Sequence, residues 1–363
     1  MSLKETGQSG FTAGRDSAPA SPAIHGSGPA NGGEFAGHAV QMAALLDLVH
    51  EELLRVEQVI QLESVAPVDS ITTIGHYLHG SGGKRLRPIL VLLSGKLFGR
   101  CTDSTIRMAA VVEMIHTATL VHDDVIDYAD IRRGRPSTNA LWGNQTSVLT
   151  GDWLYMQAFQ IALRERNFAV LDLLIGLTQS MVEGELLQLG RIGRIDVSEA
   201  DYMELVDRKT ASLFSVCARL GAIFAGADDP AVEGLGDFGW NLGMAFQLVD
   251  DVLDFTAHEN VLGKPVGSDL REGKVTLPLI YALVEASPED RRAVETVLRD
   301  GNYEAVPFES VLGLVHHNKG IERAMHRAGC FAEKAKSLLA GLPDSPSQKA
   351  LLAVTDLVTE REY

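Results

Sequence analysis

The sequence predicts an all-α protein in which one large helical domain follows an unstructured amino-terminal tail. Apolar residues recur at intervals of three and four from Val40 onward, which is the spacing of amphipathic helices. Strict alternation of apolar and polar residues, the mark of half-buried strands, is scarce. No shift in composition marks a second domain, so we expect a single helical bundle.

The tail is predicted from composition. Residues 1–38 are rich in Gly, Ser, Ala and Pro and carry few large apolar side chains. Such a segment cannot bury enough surface to offset the entropy lost on ordering. We therefore expect a disordered tail over residues 1–38 and one folded domain over residues 39–363.

The helices follow one another along that domain. The first is predicted from MAALLDLVHEELLRVEQVIQL, and a second from STIRMAAVVEMIHTATLVHDDVID, with Ser104 as its N-cap. SVLTGDWLYMQAFQIALRE and FAVLDLLIGLTQSMVEGELLQLG show the same periodicity. Further helical segments lie near 201–226, 232–256 and 276–299, and loops such as GSGGKRLRP and GKPVGSDLREGK separate the helices.

Charge and cysteine content exclude several classes of protein. A net charge of −16 and a pI of about 5.1 argue against a nucleic-acid partner. The three cysteines lie far apart without CxxC spacing, so we expect neither disulfides nor a zinc site. No apolar run reaches bilayer-spanning length, and the amino terminus lacks the layout of a secretion signal. These features predict a soluble, cytoplasmic protein.

Two aspartate-rich motifs, LVHDDVID and FQLVDDVLDF, share the spacing DDxxD. In the first, Asp123 and Asp127 are one helical turn apart and project from one face, with Asp124 at its edge. A single DDxxD is more often a solvated acidic face, but the second motif lies among core-like apolar residues, where acids are costly unless paired or metal-bound. Its acids are Asp250, Asp251 and Asp254. Two such helices would line the mouth of an apolar cavity with ligands suited to magnesium.

Basic residues lie both beside these acids and away from them. GGKRLRP holds Lys84, Arg85 and Arg87 beside glycines that let a ligand approach the backbone, which suits a phosphate group. The other candidates are Arg132, Arg133, Lys209, Lys264 and Lys274. This distribution predicts two separate diphosphate sites, one bridged to the protein through magnesium and one held by Lys and Arg alone.

The motifs together resemble those of the trans-type (all-E) polyprenyl diphosphate synthases, over roughly residues 40–363. The segments that carry the resemblance are GGKRLRP, IHTATLVHDDVID, RRGRPS, WGNQTSVLTGDW, EGELLQL, the pair Lys209–Thr210, FQLVDDVLDF and GKPVGSDLREGKVTLPLI. The resemblance implies the isoprenoid synthase fold, a helical bundle around a central apolar cavity. It also implies an enzyme that elongates farnesyl or geranylgeranyl diphosphate by head-to-tail condensation with isopentenyl diphosphate.

The resemblance further implies a role for each matching residue. About three magnesium ions per active site would clamp the allylic diphosphate. Their ligands would be Asp123, Asp127 and Asp250, with Asp124, Asp251 and Asp254 completing the acidic rims. The same diphosphate would contact Arg132, Lys209, Lys264 and Lys274. Isopentenyl diphosphate would contact Gly83, Lys84, Arg87, His116 and Arg133 without metal. Thr210 and Gln247 would lie near the developing carbocation.

Product length should be set along the helix that carries Asp123, because one isoprene unit is about as long as one helical turn of roughly 5.4 Å. One turn before Asp123 lie Ala118 and Thr119, which are small and leave room for a growing chain. The deeper candidates are Ile115, Val112 and Met108, with Met156 and Phe159 on the following helix as a floor. These residues and the likeness of IHTATLVHDDVID to octaprenyl-type synthases predict an octaprenyl product.

Three other functions share some of these features. A farnesyl or geranylgeranyl diphosphate synthase would have the same motifs and stop elongation earlier. A class I terpene cyclase uses DDxxD, but its second metal motif usually mixes Asn, Ser or Thr with Glu. A regulatory synthase subunit would tend to lose an acidic motif, and both are present here. The resemblance also implies a homodimer, and the apolar product is compatible with peripheral membrane contact.

Overall fold

The structure is a computed structural model that describes residues 32–80, 82–256 and 266–359, with side chains described from Asp47 onward. Among these residues every regular element but one small hairpin is helical, which confirms the all-α prediction. None of the described helices is both long and apolar enough to cross a bilayer.

The helices fall into three groups along the chain. The first group is α1 (Gly32–Glu63), α2 (Asp69–His79), α3 (Leu86–Leu97), α4 (Asp103–Ile126) and α5 (Thr138–Trp142). The second is α6 (Asn144–Arg164), α7 (Phe168–Arg191), α8 (Glu199–Val206), α9 (Ser212–Ala225) and α10 (Asp229–Thr256), with a π-helical turn at Asp207–Ala211 between α8 and α9. The third is α11 (Ser268–Arg271), α12 (Leu277–Val284), α13 (Pro288–Asp300), α14 (Phe308–His317), α15 (Gly320–Leu339) and α16 (Pro346–Thr359).

The helix α4 lies at the centre of the bundle, where it packs against α1, α3, α6 and α9. Its apolar residues join the first of two core clusters, which also draws on α3, α6, α7 and α9. The second cluster is built from α8, the C-terminal half of α10, and α12 to α15. A hairpin of β1 (Ile131–Arg132) and antiparallel β2 (Arg135–Pro136) follows α4 and carries the sequence RRGR.

Two sequence predictions about helix boundaries are corrected. The helix α4 begins before Ser104, because Thr102 and Thr105 form a reciprocal capping box in which each backbone N–H donates to the other hydroxyl at 3.1 Å. Ser104 instead donates to Glu165 at 2.6 Å. The single helix expected over 276–299 is two, because Ser287 caps a new helix whose first residue is a proline.

The predicted tail is shorter than expected at its C-terminal end. The helix α1 begins at Gly32, so residues 32–38 are helical, and residues 1–31 lie outside the described residues. Composition alone misplaced this boundary, because the segment after Pro29 contains no further proline and runs directly into the apolar periodicity of α1.

Candidate active site

A cavity of about 770 Å³ opens between α4, α6, α7, the π-helical turn and α10. Its size falls within the range of small-molecule sites. Apolar side chains such as Met181, Leu186 and Phe246 form part of the wall. The predicted site residues that line the cavity are Arg87, His116, Thr119, Asp123, Asp127, Arg133, Lys209, Thr210, Gln247, Asp250, Asp251 and Lys274.

The C-terminal end of α4 presents the first acidic motif. Asp123 and Asp127 both line the cavity, as their one-turn spacing predicts. Asp124 is buried and accepts a hydrogen bond from Arg132 Nε, and both residues line a separate small cavity of about 40 Å³. Asp124 and Arg132 therefore join the hairpin to α4, and the structure does not bring them to the wall of the large cavity.

The carboxylate of Asp123 is in an unfavourable electrostatic environment. Burial raises its pKa to about 6, Lys209 opposes that shift, and Glu185 and Asp127 add repulsion between like charges. Within the described residues, no three His, Cys, Asp or Glu side chains are grouped so as to hold a metal ion by themselves. The donors facing the cavity are carboxylate oxygens, which fit magnesium, an ion that takes few protein ligands and adds water and phosphate oxygens.

The second acidic motif has three different environments on α10. Asp250 lines the cavity. Asp254 is buried and accepts hydrogen bonds from Ser268 Oγ at 2.9 Å and from the backbone N–H of Asp269 at 3.2 Å. It therefore fixes the first residues of α11 and is not among the residues of the cavity wall.

Asp251 anchors a chain of hydrogen bonds along the wall. Tyr202 donates to one of its carboxylate oxygens at 2.7 Å, and Gln247 Nε2 donates to the other at 2.8 Å. Gln247 Oε1 in turn accepts from the Thr210 hydroxyl at 2.9 Å. Burial raises the pKa of Asp251 well above its ordinary value. The orientation of Thr210 and Gln247 thus depends on a carboxyl that is itself already partnered.

The π-helical turn brings Lys209 to the wall, as such turns often do at functional sites. The adjacent helix α7 can approach it because Gly184 has no side chain, and a Cβ there would lie 2.9 Å from Lys209 Cγ. Lys209 Nζ forms an ion pair with Glu185 and donates to Gln188 Oε1 at 3.1 Å.

Lys274 connects the loop after α11 to the first acidic motif. Its Nζ donates to Asp127 at 3.0 Å and to Glu272 at 2.8 Å. Burial alone would lower the pKa of Lys274, but the two carboxylates outweigh burial and raise it, so the side chain is charged at neutral pH. Lys264, predicted to act beside it, lies outside the described residues.

A second group of basic residues lies on the wall, on α3, α4 and the hairpin. Arg87 stacks its guanidinium over the Phe214 ring at 5.4 Å, and its buried Nε has no hydrogen-bond partner in the described part of the chain. Burial lowers the pKa of His116 well below its ordinary value, and the positive charges of Arg87 and Arg133 lower it further. The imidazole is therefore neutral. An unsatisfied donor and converging positive charge suit an anion that arrives without metal.

The glycine-rich loop before α3 interlocks with the hairpin. Arg133 donates to the carbonyl oxygen of Gly82, and a Cβ at Gly83 would lie 2.8 Å from Arg133 Nη1. Gly83 has a φ of 151°, in a region that favours glycine. Lys84 is exposed on this loop and is not part of the cavity wall.

The predicted chain-length residues are not on the described cavity wall, except for Thr119. Ala118, Ile115, Val112 and Met108 are fully buried in the core beside α4. Phe159 packs partly buried against that core, whereas Met156 is 65% exposed on the outer face of α6. Tyr155, which stacks on His122 at 5.9 Å between ring centroids, lines the cavity in their place.

Sequence reasoning missed several residues of the wall. Glu185 and Gln188 hold Lys209, and Tyr202 holds Asp251. The spacing of Glu185 and Gln188 within EGELLQL puts both on one helix face and was a usable signal. Tyr202 had none, because its partner lies 49 positions away.

A helical bundle whose cavity joins two aspartate-rich helices to a separate arginine cluster is the architecture of the isoprenoid synthases. The chain belongs to the polyprenyl synthetase family, whose model, "Polyprenyl synthetase", matches residues 68–314.

Individual relatives are similar over almost the whole domain. Octaprenyl diphosphate synthase from Escherichia coli is 38% identical over 87% of this chain and 98% of its own. The crystal structure of a Caulobacter crescentus polyprenyl synthase with calcium and isoprenyl diphosphate superimposes with a TM-score of 0.84, at 35% identity, covering 88% of this chain and 98% of that one. The crystal structure of a decaprenyl diphosphate synthase from Rhodobacter capsulatus superimposes with a TM-score of 0.83, also at 35% identity, and covers 88% of this chain and 99% of that one.

Proposed function

We propose that the protein is a prenyltransferase that elongates an allylic diphosphate by successive condensations with isopentenyl diphosphate, giving a long all-trans polyprenyl diphosphate. The observation that carries this proposal is the presence, in one cavity, of the acidic ends of α4 and α10 together with the basic group of Arg87, His116 and Arg133. The reaction joins two anionic substrates, and the cavity offers one site suited to metal and one that is not. The relatives named octaprenyl and decaprenyl diphosphate synthase support a long product.

The allylic diphosphate is proposed to bind at the acidic side. Asp123, Asp127 and Asp250 would hold magnesium, which when bound neutralises charge on the departing diphosphate. Lys209 and Lys274 lie on the same wall as fixed positive charges. Their present carboxylate partners keep both side chains in place before a substrate arrives.

Isopentenyl diphosphate is proposed to bind at the basic side without metal. Arg87 and Arg133 offer guanidinium groups, which bind phosphate through paired hydrogen bonds. Neutral His116 can donate one further hydrogen bond without adding charge. Lys84, exposed on the adjoining loop, would complete this site from the solvent side.

The chemistry breaks the allylic C–O bond and forms a C–C bond to the double bond of isopentenyl diphosphate. The proton then released passes to the departing pyrophosphate. Water would quench the intermediate cation, and the apolar side chains of Met181, Leu186 and Phe246 would limit its access once the substrates fill the cavity. Thr210 and Gln247 line the cavity and are held by a mutual hydrogen bond, so their oxygen atoms could stabilise the cation.

The product is proposed to extend past Thr119 between α4 and α6. Ala118, Ile115 and Val112 are packed in the core beyond Thr119, so a longer chain would contact them only by displacing that packing. We expect incubation with magnesium, farnesyl diphosphate and labelled isopentenyl diphosphate to give octaprenyl diphosphate, sized by chromatography after dephosphorylation. Products that stop at geranylgeranyl diphosphate would refute the long-chain proposal and identify Tyr155 as a candidate floor. Absence of incorporation would favour a regulatory subunit.

A homodimer is also proposed. Exposed apolar residues recur at seven-residue spacing on α6 and on the first half of α7, so each of these segments carries an apolar stripe outside the cavity wall. They are Leu149, Met156, Leu163, Phe168 and Ile175. Light scattering should give a dimer for the wild type and a monomer for Met156→Lys with Ile175→Lys. Leu62→Lys, a change at a more exposed apolar position on α1, should leave the dimer intact.

A further inference from the structure

The loop that carries Lys84 and Arg87 is held in place by an ion bridge of three residues. Arg85 donates from Nε to Glu57 Oε1 at 2.5 Å and from Nη2 to Glu57 Oε2 at 3.2 Å. It donates from Nη1 to Glu113 Oε1 at 2.8 Å. Although the sequence groups Arg85 with phosphate-binding residues, its guanidinium is already bound to carboxylates on two sides.

The bridge joins three elements next to the metal-free site. Glu57 lies on α1, Arg85 immediately precedes α3, and Glu113 lies on α4. Arg87 follows Arg85 by two residues, and His116 lies one helical turn after Glu113. The two side chains that converge on the proposed isopentenyl diphosphate site therefore extend from the two elements that Arg85 ties together.

The backbone of this loop needs such a restraint. Arg85 has a φ of 50°, in the left-handed region that is unfavourable for a residue other than glycine, and Gly82 and Gly83 also have positive φ. A bidentate arginine–carboxylate pair fixes direction as well as distance. The contact to Glu57 thus holds the strained turn from which Lys84 and Arg87 extend.

The position of Glu113 argues against a purely electrostatic role. Its side chain is only 7% exposed, and its charge opposes the effect of burial on the pKa of both Arg87 and Arg133. A negative charge so close to these arginines weakens their attraction for a diphosphate. The charge of Glu113 therefore disfavours anion binding. Its favourable contribution to the site would come from holding Arg85.

We propose that Glu57, Arg85 and Glu113 are positioning residues for the metal-free diphosphate site, because they fix the loop and the start of α3 so that Lys84 and Arg87 meet the ligand. The proposal rests on the proposed function, in which that ligand is isopentenyl diphosphate.

The test compares Arg85→Lys and Glu113→Gln with the wild type. Arg85→Lys keeps the charge but loses the bidentate fork, and Glu113→Gln keeps the size while removing the charge. We expect each to raise the KM for isopentenyl diphosphate about tenfold, with the KM for farnesyl diphosphate changed less than about twofold. Calorimetry with isopentenyl diphosphate and EDTA should show the same loss of affinity without turnover.

A matched control is Glu165→Gln. Glu165 is 8% exposed and pairs with Arg107 away from the cavity, so this variant loses a comparable ion pair. It should lower the melting temperature as much as Glu113→Gln does and leave both KM values unchanged. An increase in the KM for isopentenyl diphosphate in Glu165→Gln would overturn the proposal, since the effect would then be one of general stability.

Two other results would also overturn it. A lower KM for isopentenyl diphosphate in Glu113→Gln would show that the carboxylate acts only as a repelling charge. Equal increases in both KM values would show that the bridge supports the whole cavity. If the wild type binds isopentenyl diphosphate in EDTA but does not elongate farnesyl diphosphate when magnesium is present, the proposed function is wrong. The calorimetric comparison of the wild type with Arg85→Lys and Glu113→Gln still tests the positioning role.

Discussion

Replacing Asp123 by Asn should stabilise the metal-free protein while abolishing its activity. The carboxylate lies in the cavity wall near Glu185 and Asp127, and among the described residues Lys209 and Arg132 offset part of the cost of its burial. Asn has nearly the same shape and carries no charge, so the variant removes the electrostatic cost without leaving a void. Activity should be lost because Asn is a poor substitute for a magnesium ligand.

The size of the effect follows from the pKa of Asp123, which rises from 3.8 to about 6 on folding. Two pKa units correspond to about 3 kcal/mol of lost stability, and water in the open cavity should reduce this to about 1–2 kcal/mol. Because the folded protein binds the proton more tightly than the unfolded chain, the penalty is absent below pH 3.8 and complete above pH 6.

The measurement is urea unfolding of wild type and Asp123→Asn in EDTA at pH 7.5 and again near pH 4. The variant should unfold at higher urea at pH 7.5, and the difference should disappear at the lower pH. Glu165→Gln should change the free energy of unfolding in the opposite direction. Arg107 and Ser104 outweigh burial and lower the pKa of Glu165, so neutralising this residue should destabilise the protein. A variant less stable than wild type at pH 7.5 would refute the account of Asp123.

Three further outcomes are expected. Tyr202→Phe leaves one oxygen of buried Asp251 without its 2.7 Å partner and should cost about 1–3 kcal/mol in urea unfolding; an unchanged midpoint would contradict this. Gly184→Ala places a Cβ 2.9 Å from Lys209 Cγ and should lower kcat, with circular dichroism as the check on folding. Arg87→Met should raise the KM for isopentenyl diphosphate at least about tenfold and leave that for farnesyl diphosphate unchanged, and equal effects on both would contradict the assignment.

The parts of the site that sequence could predict are those encoded locally. The placement of Asp123 and Asp127 on one wall follows from helical spacing alone. The same spacing could not separate Asp250 from Asp254, because the difference arises from the first two residues of α11, which donate two hydrogen bonds to Asp254. Likewise Asp124 and Asp127 have different partners from distant parts of the chain, because Arg132 of the hairpin donates to Asp124 and Lys274 donates to Asp127.

Helix boundaries were predicted well where the apolar periodicity is long and poorly where a capping residue ends one helix and begins the next. The extent of α7 follows its periodicity closely, whereas α12 and α13 are separated by a cap at Ser287. The depth of the cavity could not be read from α4 either. Ile115 is buried and Met156 is exposed, although both are apolar residues in periodic helices. The sequence does not show this difference, because the orientation of α6 against its neighbours decides which of its side chains face inward.

The π-helical turn at Asp207–Ala211 has a consequence for how one long helical segment is shared between two cores. A turn that closes over five residues holds about one residue more than an α-helical turn, so everything beyond it is rotated by about 100°. Tyr202 and Val206 on α8 pack into the second cluster, while Leu213 and Phe214 on α9 pack into the first. Deleting one residue here would favour a regular helix and turn one of these faces away from its core.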